Sequence, residues 1–538
     1  MEKKMLIALV LSLVVLFAFQ QMNKKPPNPI GEYAIEDQQA KDVSDNQALG
    51  MSGLGELSAG GTNDVKNIQE NEITIETEQY EILFSDIGGS VKKWRLKKFE
   101  NKELDNIEEV LIKEQPIEKR LFAMKSPAVA GLSGKRFQVR KETGFLEFTY
   151  ESPGNMRVSK KYVFQNGADH IGLEINIENI STMDKNVSYA LIGPSGVTDS
   201  GGVKGRSFLE ADIKTASGVV KKKSVKGAWT ENGNISWVAI KNRYFAVILK
   251  PFSDPVSAEI QGDSKEGFIT AMNSKMYILA PGTIQKDEYL LYAGPMDEKQ
   301  LMALGYNFEE TIDYGWFGGI SKVLLVVLRV LHSGVKNWGA AIILLTILVN
   351  LVSFPLTKKS FVSMHRMKNI QPHMQKLKEL HKDNPQKLNK EMMELYKKYN
   401  VNPFGGCLPM LLQIPIFIAL YQGLIKAVEL KGAHFLWVKD LSRPDAVHIP
   451  FTLPMLGSHI NILPLLMVVM MFAQQKIQGV AAASMTPEQA GQQKMMLLMM
   501  PVFFGFLFYN MPSGLVLYWL TNTILMTSEQ LFLKRTMD

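Results

Sequence analysis

The chain reads as a multi-domain membrane protein: an α-helical core of five C-terminal spans, an N-terminal anchor, and an exported antiparallel β-sandwich between them. Three observations lead there. Apolar stretches alternate with loops from about residue 306 onward. Between 66 and 305, apolar and polar residues alternate with period two. One loop, Thr357 to Asn400, carries eleven Lys/Arg against four Asp/Glu. That surplus of seven equals the formal charge of the whole 538-residue protein, so the remainder is near neutral. Cationic loops between spans stay on the cytoplasmic side, because the leaflet there is anionic and Lys/Arg are costly to move across. This one loop orients the molecule.

Taken in order, the N-terminus resembles a signal sequence, with Met5 to Phe19 apolar behind two lysines. No Ala-x-Ala follows it and no cysteine that would make a lipoprotein, so residues 1–20 are expected to stay as an uncleaved anchor. Residues 21–65, rich in Pro, Asn, Gln, Gly and acids, suit a flexible linker. From 66 to 305 the strands announce themselves. The cleanest is HIGLEINIENI, where Ile171, Leu173, Ile175 and Ile177 alternate with polar residues. Repeated half-buried strands between Gly, Asn and Asp turns predict an antiparallel sandwich.

Residues 297–312 are expected to form a helix joining the sandwich to the membrane core, 306–538. Residues 319–332 follow, with Ile320, Val323, Leu324, Val327, Leu328 and Leu331 on one side. That pattern suits a helix lying in the membrane interface. Spans are expected at about 337–356, 403–428, 460–473, 495–509 and 511–527. With the anchor they number six, which places both termini in the cytoplasm and residues 21–305 in the periplasm. The loop 429–459 is then external and 474–494 internal.

The basic loop has structure of its own. Met367, Ile370, Met374 and Leu377 step by three and four, as do Leu388, Met392, Leu395 and Tyr399, and Asp383-Asn384-Pro385 separates the two runs. A helical hairpin over 358–400 with a coiled-coil seam is expected.

The spans carry no Asp, Glu, Lys, Arg or His in their apolar interiors. Pumps and secondary transporters keep such groups as relays or counter-ions. Neutral polar residues are present instead. Thr346, Asn350 and Ser353 share one face of the second span, Gln413 and Tyr421 one of the third, and Tyr518 and Asn522 one of the last. Prolines at 355, 409, 415, 464 and 501 break the backbone pattern. Such residues glue helices together in many bundles; alternatively, the faces converge on a wet, uncharged cavity. Span length favours the cavity. Met495–Tyr509 amounts to ~22 Å of helix against a hydrocarbon core of ~30 Å, which thins the bilayer locally. Methionines at 467, 470, 471, 485, 495, 496, 499 and 500 suit a surface that accepts unrelated apolar clients.

Enzymatic chemistry has little to work with. Cys407 is the single cysteine, in a Gly/Pro-rich apolar setting. His170 is the one histidine between 66 and 305, and Gly193-Pro194-Ser195-Gly196-Val197 lacks the second glycine of a nucleophile elbow. Nothing implies a metal or a cofactor, and the protein is expected not to be an enzyme. Two other classes stay in view: a solute channel or transporter, and a sugar-binding periplasmic domain on a membrane anchor.

With these pieces in place, the sequence closely resembles the YidC membrane protein insertase family of bacteria. The resemblance is carried by NWGAAIILLTILV…FPLTKKS (337–360), VNPFGGCLPMLLQIPIFIALY (401–421) and MPSGLVLYWLTN (511–522). It implies a groove open to cytoplasm and lipid that accepts hydrophobic segments of nascent membrane proteins. By motif, Thr346, Gln413, Phe417, Tyr518, Trp519 and Asn522 line or border that groove, and Asn350, Ser353 and Tyr421 share its polar faces. The hairpin, with Met374, Leu377, Met392 and Leu395 in its seam, would capture clients. The exported domain would be a super-β-sandwich that contacts the Sec translocon. One departure stands out: the family typically places an arginine where this chain has Asn350. The tail after Phe532 is also short, which implies weak ribosome contact. No direct nucleic-acid recognition is expected.

Overall fold

The computed structural model describes residues 69–101, 107–199, 207–381, 384–399, 401, 408–453, 457–478 and 487–537. The expected anchor and linker, Cys407 and Met485 lie outside them.

From Glu72 to Pro295 the described chain is built of antiparallel strands and short turns. Alternation dictates this. In His170–Asn179, Ile171, Leu173, Ile175 and Ile177 are buried while their neighbours are half-exposed, so one face must be covered. That strand sits inside a nine-stranded sheet. Edge to edge the sheet runs 218–222, 210–215, 235–241, 245–251, 284–295, 170–179, 156–164, 145–151 and 138–142. A five-stranded sheet (224–232, 257–263, 267–273, 190–195, 124–125) shares its apolar core. A four-stranded meander, 72–112, adds Tyr80, Phe84 and Trp94 to that core. Lys160 is fully buried in it, donating to the carbonyls of Gly88 (2.7 Å) and Phe122 (2.6 Å). Burial pulls its ammonium down to about 7, since a cation out of water is disfavoured.

The link to the helices differs from the expected single helix over 297–312. Helix α1 (Glu298–Ala303) is capped by the Asp297 side chain and stops. A 3₁₀ turn then covers Phe308–Thr311. Gly305 at φ +77° and Asn307 at φ +57° lie between them in the left-handed region, which no helix continues through. The sandwich and the helices are tied here by buried groups. Lys241 donates to Asp212 (2.5 Å) and to the Thr311 carbonyl (2.8 Å). Arg243 donates to the Ile425 carbonyl (2.5 Å), and Val428 enters the sandwich core.

Helix α2 (Gly318–Val335) buries Ser321, Leu325 and Leu328. Ile320, Val323, Val326 and Val330 form an exposed apolar strip, so the apolar side read from the sequence is split between packing and exposure. Helix α3 runs from Trp338 to Leu380, 43 residues without interruption. The break expected at Pro355, between span and hairpin, is absent. Proline forfeits only the one N–H that would reach the Leu351 carbonyl, and the turn that follows continues, with the Thr357 hydroxyl adding a bond to the Ser353 carbonyl (3.2 Å). Helix α4 (Pro385–Lys398) folds back after a turn capped by Asn384.

Four further helices complete the core: α5 (Leu408–Lys426), α6 (Ile462–Gln478), α7 (Pro487–Tyr509) and α8 (Ser513–Met537). The last three outrun the expected spans 460–473, 495–509 and 511–527. Gln, Glu and Lys beyond each apolar stretch are good helix formers and extend it. The apolar part of α7 is still only the stretch Met495–Tyr509 that follows Lys494. Shortness therefore belongs to the apolar stretch and not to the helix. The loop 429–459 also hides a hairpin, Val447–Leu453 with Gly457–Ile460, so Ile460 ends a strand instead of opening a span.

Candidate functional site

The neutral polar residues of the spans come together around α8. From α3, Asn350 donates to the Asn522 side chain of α8 (3.0 Å) and to the Thr346 carbonyl one turn earlier (2.8 Å). Thr346 donates to the Ile342 carbonyl (2.7 Å). From α5, Gln413 donates to the Tyr518 hydroxyl (2.6 Å). The four-residue spacing of Tyr518 and Asn522 puts both on one face of α8, where each receives a different helix. Thr346, Asn350, Tyr518 and Asn522 are all buried. Such bonds matter in hydrocarbon, where no water stands in for a missing partner.

Beside these pairs lies an aromatic cluster. Phe417 of α5 meets Trp519 of α8 edge-on at 4.6 Å, and Tyr421 lies 6.4 Å from Phe417. Phe504 and Phe508 of α7 close on the same indole at 5.8 and 5.2 Å. Sequence reasoning missed these two phenylalanines, although their four-residue spacing on an apolar helix was a signal. Ser353 is half-buried and lies one turn beyond the Asn350–Asn522 contact.

Arg329 offers no substitute cation. Its guanidinium is held by Glu429 (2.7 Å) and Asp297 (4.0 Å), away from Asn350.

The hairpin is formed by the end of α3 and α4. Met374, Leu377, Met392 and Leu395 are half-buried, and Ile370 is fully buried. His373 stacks on Tyr399 at 5.7 Å, and His381 meets Glu391 at 3.1 Å. Leu380 and Met393 remain exposed. The seam is shallow, as two helices alone bury little.

A helical membrane core with neutral, mutually bonded polar faces, carrying a basic helical hairpin and a large sandwich, defines a class of membrane-embedded proteins. Comparison with known proteins narrows it. The family described as 60Kd inner membrane protein matches residues 330–538, and the YidC periplasmic domain matches 72–327. A membrane protein insertase YidC of Syntrophus aciditrophicus is 34% identical over 578 residues, covering 99% of this chain and 100% of the relative. One from Geotalea uraniireducens is 32% identical, covering 100% of both. A crystal structure of an active YidC insertase with its first transmembrane domain resolved covers 86% of this chain and 92% of its own, at 20% identity and TM-score 0.36. The chain belongs to the YidC membrane protein insertase family. It is accordingly an inner-membrane protein of a non-enzymatic family.

Proposed function

We propose that this protein receives hydrophobic segments of nascent membrane proteins and releases them into the bacterial inner membrane, alone or with the Sec translocon. The observation that carries this reading is the paired, uncharged hydrogen bonding of Asn350 with Asn522 and of Gln413 with Tyr518. A neutral pair is exchanged for a client's polar groups at little electrostatic cost, because no buried charge is left behind. Opening α3 and α5 away from α8 would present Thr346, Asn350, Ser353, Gln413 and Tyr518 to a client's polar leading segment. Phe417, Tyr421 and Trp519 would border its apolar part. The hairpin, with its exposed Leu380 and Met393 above a cationic surface, would capture clients first. Residues 21–305 then lie in the periplasm and both termini in the cytoplasm, with ribosome contact weak because the tail is short. Helix α2, with its exposed valines, lies in the interface.

Site-specific photocrosslinking from Thr346, Gln413 and Tyr518 to a stalled nascent membrane protein tests the reading. Adducts at all three positions are expected. Adducts from the exposed face of α7 alone would overturn it.

A further inference from the structure

On the flank of α8 away from Tyr518 and Asn522 lies a separate cavity of about 210 Å³. Ile343 of α3, Leu463 of α6, Leu517 and Leu520 of α8, and Trp437 and Val438 of the 433–441 loop line it. An apolar cavity of about 150 Å³ already holds benzene and stays dry when empty, so this one takes a longer stretch of hydrocarbon.

The loop over the cavity is built in an unusual way. Phe435 and Val438 bond each other's backbones (2.8 and 2.9 Å), closing a tight turn. Leu436, at its tip, has φ +52° and is 74% exposed. A branched apolar side chain in the left-handed region, turned outward, is unfavourable twice over in water. In hydrocarbon only the backbone strain remains. Trp437 donates its indole N–H to Asp445 (3.3 Å), whose same oxygen caps the start of α6 through the N–H groups of Ile462 and Leu463. Its ring lines the cavity while its N–H reaches that polar layer, the divided placement of an interface tryptophan. The same loop presses on Gly339 through Phe435 and on Gly514 through the Leu441 carbonyl. The cavity therefore reaches from the first two turns of α3 and α6 to the fourth turn of α8, below their polar starts. Lys439 follows the turn and is exposed, placing a cation at that level.

We propose that this cavity holds one acyl chain of a phospholipid from the leaflet that these helix starts face, with Lys439 on the phosphate. The proposal rests on residence in the membrane and not on the insertion reading.

The test places the full chain in liposomes of phosphatidylethanolamine and phosphatidylglycerol, with a trace of phosphatidylethanolamine carrying a mid-chain diazirine. After irradiation and digestion, adducts are mapped by mass spectrometry. They are expected on the 435–438 and 517–524 peptides, several-fold above those on the exposed α7 face at Val502 and Phe506. Leu520→Trp, which fills the cavity, should remove most of that excess and leave the α7 adducts unchanged. Leu463→Phe serves the same purpose if thermal melting shows the first variant unfolded. Lys439→Glu should lower the excess partway. Even labelling over all lipid-facing helices, or an excess that survives filling, means boundary lipid only and overturns the proposal. A photoreactive residue at position 520 that captures a client or a second copy of the chain, in preference to lipid, overturns it equally.

Discussion

In the sandwich, several buried polar groups are charged and paired: Lys241 meets Asp212, and Arg120 forks onto Glu70 (2.8 and 3.1 Å). In the helical core they are neutral: Asn350 with Asn522, and Gln413 with Tyr518. Both regions pair these groups, but separating the partners has very different consequences. Splitting a buried ion pair strands a charge, whereas splitting an amide pair strands only a dipole. One arrangement locks a domain permanently. The other suits helices that part and rejoin around a client.

The largest effect expected from breaking this contrast is at Lys241. Lys241→Met leaves Asp212 buried beside Glu210 without its cation and should cost about 3–5 kcal/mol. Adding Asp212→Leu should restore most of it, read by urea unfolding of the full chain in detergent. A double variant no more stable than the single one would show that the pair is not what locks this corner.

Lys160 gives a pH signature. In the unfolded chain its pKa is the ordinary 10.5, and in the fold it falls to about 7. The unfolded state then binds more protons between those values, so stability rises with pH across that window and is flat below it. The slope is at most about 1.4 kcal/mol per pH unit. Urea midpoints at pH 7, 8 and 9 should climb in the native protein and climb less in Lys160→Met.

In the helical core the numbers shrink. A double-mutant cycle on Asn350 and Asn522 should give a coupling of about 0.6 kcal/mol, yet Asn350→Leu should reduce client insertion clearly. Asn350→Arg should be tolerated and favour clients with acidic leading segments. A fully active Leu variant beside a destabilised Arg variant would reduce the pair to helix glue. Smallest of all in stability is the hairpin seam. Replacing Leu377 and Leu395 by Ser should hardly move the melting temperature, since both are half-buried. It should impair insertion as much as neutralising several of the hairpin's lysines does. Full activity there would leave the hairpin as a charge signal only.

The strand alternation at 171–177 and the polar face of Thr346, Asn350 and Ser353 were legible because each is a local period. What a local period cannot carry is the partner. Asn522 lies 172 positions from Asn350, and only packing brings them together. The ends of α6, α7 and α8 lie beyond the expected spans for another reason: hydrophobicity marks where lipid contact stops, and helix propensity decides where the helix stops. The unbroken course of α3 through Pro355 belongs to the same class. The Arg243 contact with Ile425 had no sequence signal, because it joins an arginine in a loop to a bare carbonyl.

That unbroken course has a mechanical consequence. At ~1.5 Å per residue, α3 is a rod of about 65 Å, roughly twice the hydrocarbon thickness of a bilayer. Asn350 sits near one third of its length and the hairpin seam at the far end. Under the proposed function, a torque applied where a client docks on the hairpin would be delivered as rotation at the Asn350–Asn522 contact, with Pro355 and Pro372 as the weak points along the shaft. Glycines at 361 and 362 would soften the rod and should decouple client capture from release. With a stiff shaft, grasping the client and unlatching the polar faces would, in the proposed function, be one motion.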